Sequence, residues 1–209
     1  MAPTDVRAIS YLRVPDEEEW PAEIRELGES FQSKIGFVPN IIRSFALIPD
    51  HFLGWWRYFD DLMRGSGSGL IKSQREMVAV VVSAENQCHY CMLSHGAACR
   101  LRTRDPALVD QLLTNYRRAD LPAPERVMLD FAVKVANQAH EMTSTDIELM
   151  RVAGWDDEEI LHIIEIASMF SFTGRLANTL GLLANPEYAG LGRQPPSTVT
   201  TPLVDRSGK

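Results

Sequence analysis

Apolar residues in this chain recur at three- and four-residue steps from near one end to the other, and strand-like alternation is almost absent. That period puts them on one face of a helix, so the pattern predicts an all-α fold. Ile24, Leu27, Phe31 and Ile35 open the series after Pro21 and stop at Gly36; a short segment from Asn40 to Ile48 follows and ends at Pro49. A third helix, from Asp50 to Arg64, presents Phe52, Trp55 or Trp56, Phe59 and Leu62. Beyond it, Gly65-Ser66-Gly67-Ser68-Gly69 reads as a flexible connection. Val78 to Val82 is β-branched and would suit a sheet, but no partner strand is visible, so a buried helix is predicted there. Further helices are predicted from Asp105-Pro106 to Tyr116, from Glu125 to His140, from a capping box at Thr145-Asp146-Ile147-Glu148 to Gly154, and from Asp156 to Ala184. The last is apolar on several sides between Ile160 and Phe172, which marks a central helix or a subunit interface.

Within this helical frame the segment from residue 76 to residue 95 carries the chemistry: Glu76, then Cys88-His89-Tyr90-Cys91, then His95. Residues three and four apart share a helix face, so a helix starting near Gln87 puts Cys88, Cys91 and His95 in one stripe. A disulfide across its first turn is feasible, because helix ends flex to the required Cβ separation. Glu76 precedes Cys88 by twelve residues, about 18 Å on one continuous helix, which is too far. A reversal at Asn86-Gln87 into an antiparallel hairpin brings Glu76 level with about residue 98, one turn from His95. The order carboxylate, imidazole, thiol then resembles an oriented base beside a nucleophile. Cys91 is the thiol that His95 reaches best, and a cysteine in the first helical turn or in a Cys-X-X-Cys pair has its pKa lowered. Attack by Cys91 on a hydroperoxide would give a sulfenic acid that Cys88 resolves as a disulfide, and an external thiol would restore the pair.

Other readings of the same residues stay open at this level. Ser73-Gln74-Arg75-Glu76 also fits a capping box, in which Glu76 serves only the helix start. Cys88, Cys91, His95 and a carboxylate could ligate a metal, although one short helix makes an awkward tetrahedron. A dithiol exchanging with protein disulfides, as a reductase or redox sensor, would use the same cysteines. Cys99 shares the stripe but suits a small buried hydrophobe. His162 and Glu165 share a face, most simply as a hydrogen-bonded pair, and Arg175 in an apolar setting calls for a carboxylate, Glu76 or Glu85.

The pattern Glu76, Cys88-X-X-Cys91, X-X-X, His95 resembles the alkylhydroperoxidase D motif of the carboxymuconolactone decarboxylase superfamily. Gly36-Phe37-Val38-Pro39-Asn40, Ser83-Ala84-Glu85-Asn86-Gln87, Arg175-Leu176-Ala177 and Leu180-Gly181 extend the likeness to the branch of peroxidase-related proteins, over roughly residues 8 to 190. The resemblance implies an all-helical, oligomeric, alkylhydroperoxidase D-like bundle with a hairpin bearing the two cysteines, and thiol peroxidase chemistry. By position, Cys91 meets the peroxide, Cys88 resolves it, and Glu76 and His95 relay protons. Tyr90 stands where alkylhydroperoxidase D carries a histidine. Decarboxylases of the superfamily do not depend on this dithiol.

The implied partners are a small hydroperoxide and an unidentified thiol reductant, with no bound cofactor or metal. A net charge of -7 over 209 residues argues against nucleic acid, which needs a concentrated basic surface. The N-terminus lacks a hydrophobic signal region and no unbroken apolar run of membrane-spanning length occurs, so a cytoplasmic protein without membrane contact is expected. One domain is expected over residues 1–190, with a polar tail over 191–209. The apolar last helix and the tryptophan-bearing third helix point to a homo-oligomer. A faint likeness between Leu70-to-Met77 and Leu121-to-Met128 hints at internal duplication.

Overall fold

In the computed structural model, which describes residues 9–193, nine α-helices and four short 3-10 turns make up the regular structure, with no strand among the described residues. The helices are α1 (Ala22–Ile35), α2 (Asn40–Phe45), α3 (Pro49–Arg64), α4 (Lys72–Glu85), α5 (His89–Thr103), α6 (Pro106–Asn115), α7 (Ala123–Gln138), α8 (Ser144–Val152) and α9 (Asp157–Thr179). The β-branched run Val78 to Val82 is helical and fully buried, at the middle of α4. Burial on all sides explains why a segment with strand propensity settles as a helix: α4 packs on α5, α6, α7 and α9, and aliphatic bulk is what that position requires.

Chain punctuation explains most boundaries. Gly36 takes the left-handed conformation at φ 88° and closes α1, while Pro49 and Pro106 sit in the first turns of α3 and α6. Asp156 caps α9 by accepting from Glu159 N–H at 2.8 Å, and Glu159 Oε2 accepts from Asp156 N–H at 3.1 Å in return. Three boundaries differ from the sequence expectation. α4 begins at Lys72, where Gln74 Oε1 accepts from Ile71 N–H, so neither Ser73 nor Glu76 is part of a cap. The box of α8 is Thr143 with Asp146, two residues before the one expected at Thr145. α9 ends at Thr179 because Gly181 turns left-handed at φ 59° and Leu182 N–H returns to Ala177 O.

The glycine-serine connection after α3 is fastened. Arg75, buried, donates to the carbonyls of Leu62, Gly65 and Leu70, and His162 bonds Ser68 Oγ at 2.6 Å and Leu62 O at 2.8 Å. His162 therefore does not pair with Glu165, which instead accepts from the Tyr58 hydroxyl at 3.0 Å. Three backbone carbonyls accept the charge-assisted donors of Arg75 and offset the desolvation of its guanidinium.

Two apolar clusters fill the molecule. The larger gathers α4, α6, α7 and α9 around aliphatic side chains such as Val80, Leu112, Leu129 and Ile163. The smaller joins α1, α2 and the starts of α3 and α5 around Trp20, Phe37, Phe52 and Tyr90. α9 is long and apolar enough by composition to span a membrane, yet 61% of its apolar window is buried inside the fold, where it packs against α4 and α7. The segments Leu70-to-Met77 and Leu121-to-Met128 occupy corresponding places at the starts of α4 and α7, where Gln74 Nε2 donates to Glu125 at 3.2 Å. Of the expected tail, residues 191–193 lie against α5 and α6 through Arg100 and Asp110; the remainder falls outside the described residues.

Candidate active site

The turn between α4 and α5 sets the site. Asn86 N–H bonds Val82 O, Gln87 N–H bonds Ala84 O and Cys88 N–H bonds Ser83 O, each at 3.0 Å. This is a Schellman closure, with Gln87 at φ 49° in the left-handed position usually given to glycine. Cys88 is thus the last anchored residue of one helix end and, at the same time, the N-cap of the next. Its Sγ accepts the backbone N–H of Cys91 at 3.3 Å. Asn178 on α9 donates to Asn86 O at 3.1 Å and fastens the turn from outside.

The hairpin brings the separated carboxylate to the imidazole: His95 Nδ1 donates to Glu76 Oε2 at 2.9 Å, with both side chains mostly buried. Nδ1 is thereby fixed, and Nε2 has no protein partner among the described residues. The imidazole ring is wedged edge-to-face between Phe170 at 4.5 Å and Phe59 at 5.8 Å between centroids. Two aromatic walls and one carboxylate leave it a single orientation.

All three cysteines are buried free thiols, but their surroundings differ. The Cys91 thiol hydrogen-bonds Cys88, and this contact, with the N–H groups of Cys91 and Tyr90 at the helix start, draws the Cys88 pKa below its ordinary value against the effect of burial. The same bond to Cys88, then burial, pushes the Cys91 thiol well up. The resting charge is therefore favoured on Cys88, opposite to the expectation of a lowered Cys91. The reason is positional: the N-cap sulfur, not the first-turn sulfur three residues on, receives the orphan amides. Cys99 lies in the aliphatic cluster, where burial and then the charge of Glu76 push its thiol far above the ordinary range.

A cavity of about 360 Å³ reaches this constellation, with Cys91, His95 and Glu76 on its surface and Cys91 only 1% exposed. Its remaining wall is largely aromatic, from Phe31, Trp55, Trp56 and Phe59, with Tyr90 and Tyr188 opposite. Cys88 does not line it. The Tyr90 ring packs edge-to-face on Tyr188, and its hydroxyl hydrogen-bonds that of Tyr188 and accepts from Ile41 N–H. Burial raises the Tyr90 phenol well above its usual value and Tyr188 to about 12, so both stay neutral donors.

The expected roles of other residues change. Arg175 is exposed and donates to Ser171 O at 3.0 Å; it pairs with neither Glu76, taken by His95, nor Glu85, which accepts from Asn137. Its position on the outward face of α9 removes the need for a buried counter-ion. Among the described residues no three His, Cys, Asp or Glu side chains are grouped so as to hold a metal ion. The aromatic walls and Tyr188 went unread in the sequence. The helical spacing of Trp55, Trp56 and Phe59 was visible as packing, while nothing near Tyr188 signalled a cavity.

Residues 49–113, which include α3, α4 and α5, match the carboxymuconolactone decarboxylase family. Among solved structures, the alkylhydroperoxidase core of a peroxidase-related protein from Ralstonia eutropha superimposes with a TM-score of 0.87, at 41% identity over 90% of this chain and 99% of that one. A peroxidase-related protein from Silicibacter gives a TM-score of 0.86, at 38% identity over 91% of this chain and 100% of that one. Human Sestrin-2 is 25% identical over 195 residues, covering 88% of this chain and 39% of that protein. The chain spans about two-fifths of the length of the curated relatives it matches. Agreement in sequence and fold over nine-tenths of its length makes this chain a member of the alkylhydroperoxidase D-like group within the carboxymuconolactone decarboxylase superfamily.

Proposed function

We propose that the protein is a thiol-dependent peroxidase that reduces organic hydroperoxides through a Cys88–Cys91 dithiol cycle. The observation that carries this reading is the meeting, at one cavity, of a thiol with a hydrogen-bonded partner thiol and an imidazole held by a carboxylate. Its relation to peroxidase-related proteins supports the same reaction class.

Cys91 acts first because it alone of the pair faces the cavity. Its proton passes to His95 Nε2, while Glu76 holds Nδ1 and stabilises the imidazolium that forms. The Cys91 thiolate attacks the terminal, hydroxyl-bearing oxygen of the peroxide. An S–O bond forms, the O–O bond breaks, and the alkoxide leaves with the proton that His95 returns. Cys91 is then a sulfenic acid. The Cys88 sulfur, already anchored as the N-cap, attacks the Cys91 sulfur as a thiolate whose proton has gone to solvent; the S–S bond forms and hydroxide leaves, taking a proton back from solvent as water. Two electrons have moved from the sulfurs to the peroxide, and a thiol reductant restores them by exchange. Such a cycle suits a reducing compartment such as the cytoplasm.

A stripe of exposed apolar residues on α9, Leu161, Phe172 and Leu176, supports a homo-oligomer, which sedimentation velocity of the purified chain would reveal as a species larger than 23.5 kDa. The activity is tested by stopped-flow oxidation with cumene hydroperoxide followed by mass mapping. Rapid loss of two thiols with a Cys88–Cys91 disulfide is expected. Selective turnover of protein disulfides without any reaction with peroxides would instead identify a disulfide reductase.

A further inference from the structure

The cavity is far larger than peroxide chemistry alone requires, and its polar groups are unevenly placed. Along α5, Cys91, His95, Ala98 and Arg102 stand at four-, three- and four-residue steps and all line it, so it runs along one face of that helix. Arg102 lies eleven positions beyond Cys91, an axial rise of about 16 Å. Helical side chains lean back towards the N-terminus, which leaves a span on the order of 10 Å between sulfur and guanidinium. The facing wall along this span is the aromatic side of α3, Trp55, Trp56 and Phe59.

The two arginines that line the cavity differ. Arg64 lies over the Trp56 ring at 5.3 Å and pairs with Asp60, so its charge is already answered. Arg102 makes no ion pair or hydrogen bond among the described residues. The cavity's own carboxylate, Glu76, is taken by His95. An apolar slot about ten ångströms long thus has a thiol at one end and, at its solvent-exposed other end, a cation with no protein partner among the described residues. Hydrogen peroxide would fill little of it and would gain nothing from the aromatic wall. A neutral alkyl hydroperoxide would suit the wall and leave Arg102 without a role.

We propose that the slot takes an amphipathic organic hydroperoxide, whose apolar body lies on the α3 aromatics and whose carboxylate pairs with Arg102 while its peroxide group meets Cys91. This rests on the peroxidase reading, of which it names the substrate class. Arg102 acts here as a specificity residue, outside the bond-breaking steps.

The test uses the full chain and two separable measurements. Rate constants for Cys91 oxidation are compared for 9-hydroperoxyoctadecadienoic acid, its methyl ester, cumene hydroperoxide and hydrogen peroxide, below micellar concentrations. The acid is expected to outrun its ester about fivefold, the effect of one partly exposed ion pair. Arg102→Gln should bring that ratio near one while leaving cumene hydroperoxide and hydrogen peroxide unchanged, and Arg118→Gln, which removes the same charge away from the cavity, should preserve it. Equal rates for acid and ester, or equal effects of the two substitutions, would overturn the proposal. Binding of the unreactive 9-hydroxyoctadecadienoic acid and its methyl ester is read in parallel from tryptophan fluorescence. Arg102-dependent preference for the hydroxy acid without oxidation by any peroxide would keep the carboxylate subsite and sink the peroxidase reading. Oxidation by peroxides with no such preference would sink the subsite and keep the peroxidase.

Discussion

Cys88 and Cys99 are equally buried, each 0% exposed, yet the two clusters that enclose them push their sulfurs in opposite directions. Cys99 sits among the aliphatic side chains of the larger cluster, and burial, then the charge of Glu76, leaves it a neutral, inert filler. Cys88 sits in the smaller cluster at a helix start, where a thiol and backbone amides meet its sulfur. Burial is not what makes a cysteine unreactive; burial without donors is. The same division runs through the whole molecule. The aliphatic cluster makes up most of the buried core, whereas the smaller cluster is richer in aromatic rings, and the cavity lies where the two meet, with Met63 and Phe59 from the side of the larger and Ile41, Tyr90 and Tyr188 from the smaller on its wall.

The sharpest way to break this comparison is to delete one sulfur at a time. Cys91→Ala is expected to lower the rate of peroxide-driven thiol oxidation by on the order of 10³-fold or more, as removal of a covalent nucleophile does. Cys99→Ala should change that rate by less than about twofold, and stopped-flow kinetics with cumene hydroperoxide reads both. A large loss in Cys99→Ala would mean that the aliphatic cluster takes part in the chemistry.

Stability should divide the other way. Ile163→Ala removes a fully buried side chain from the larger cluster and is expected to cost about 2–5 kcal/mol in urea unfolding. The oxidation rate of the folded fraction should stay near that of the native chain. Glu76→Gln tests the hinge between the two regions, since Glu76 belongs to α4 and serves the cavity. It should lower the oxidation rate by about 10- to 100-fold, the scale of losing an oriented proton-transfer group.

Two smaller effects follow from pH. Thiolate absorbance at 240 nm should rise below the ordinary thiol value of 9.0, reporting Cys88. Cys91→Ala, which removes the S–H donor, should move that step up, Cys91→Ser, which keeps a donor, should move it less, and Cys99→Ala should leave it in place. At the acid end, Lys134 at 2.6 Å and Thr143 hold the Asp146 pKa at about 2 in place of its ordinary 3.8. A carboxyl lowered by folding stabilises the protein above its unfolded value and loses that contribution as pH falls towards the folded one. Asp146→Asn should therefore flatten the decline in thermal stability between about pH 4 and 2, with no effect on peroxide oxidation.

Much of this was legible in the residues themselves. The helical period, the proline and glycine stops and the acid-rich start of α9 place most elements within a few residues, because each acts through local backbone geometry. Boundaries that slipped did so where another nearby polar side chain took the terminal hydrogen bond, Gln74 accepting from Ile71 N–H ahead of any cap by Ser73, and Thr143 serving in place of Thr145. The hairpin contact of Glu76 with His95 was also reachable, since it follows from one reversal at a known place. Arg175 and His162 were misjudged for a different reason. An apolar stretch of sequence does not say which of its faces looks outward, and only packing against α3 and α4 decided that His162 turns in and Arg175 out.

The sequence by itself determined an all-helical chain and the spacing of a carboxylate, two thiols and an imidazole, because periodicity and turn chemistry are properties of neighbouring residues. Tertiary structure alone decided which sulfur receives the amides of the helix start, and which one faces the cavity. It also decided that a tyrosine nearly a hundred residues from Cys91, together with the tryptophans of α3, would wall that cavity. Those outcomes depend on where separate helices come to rest against one another, and no local signal carries that information.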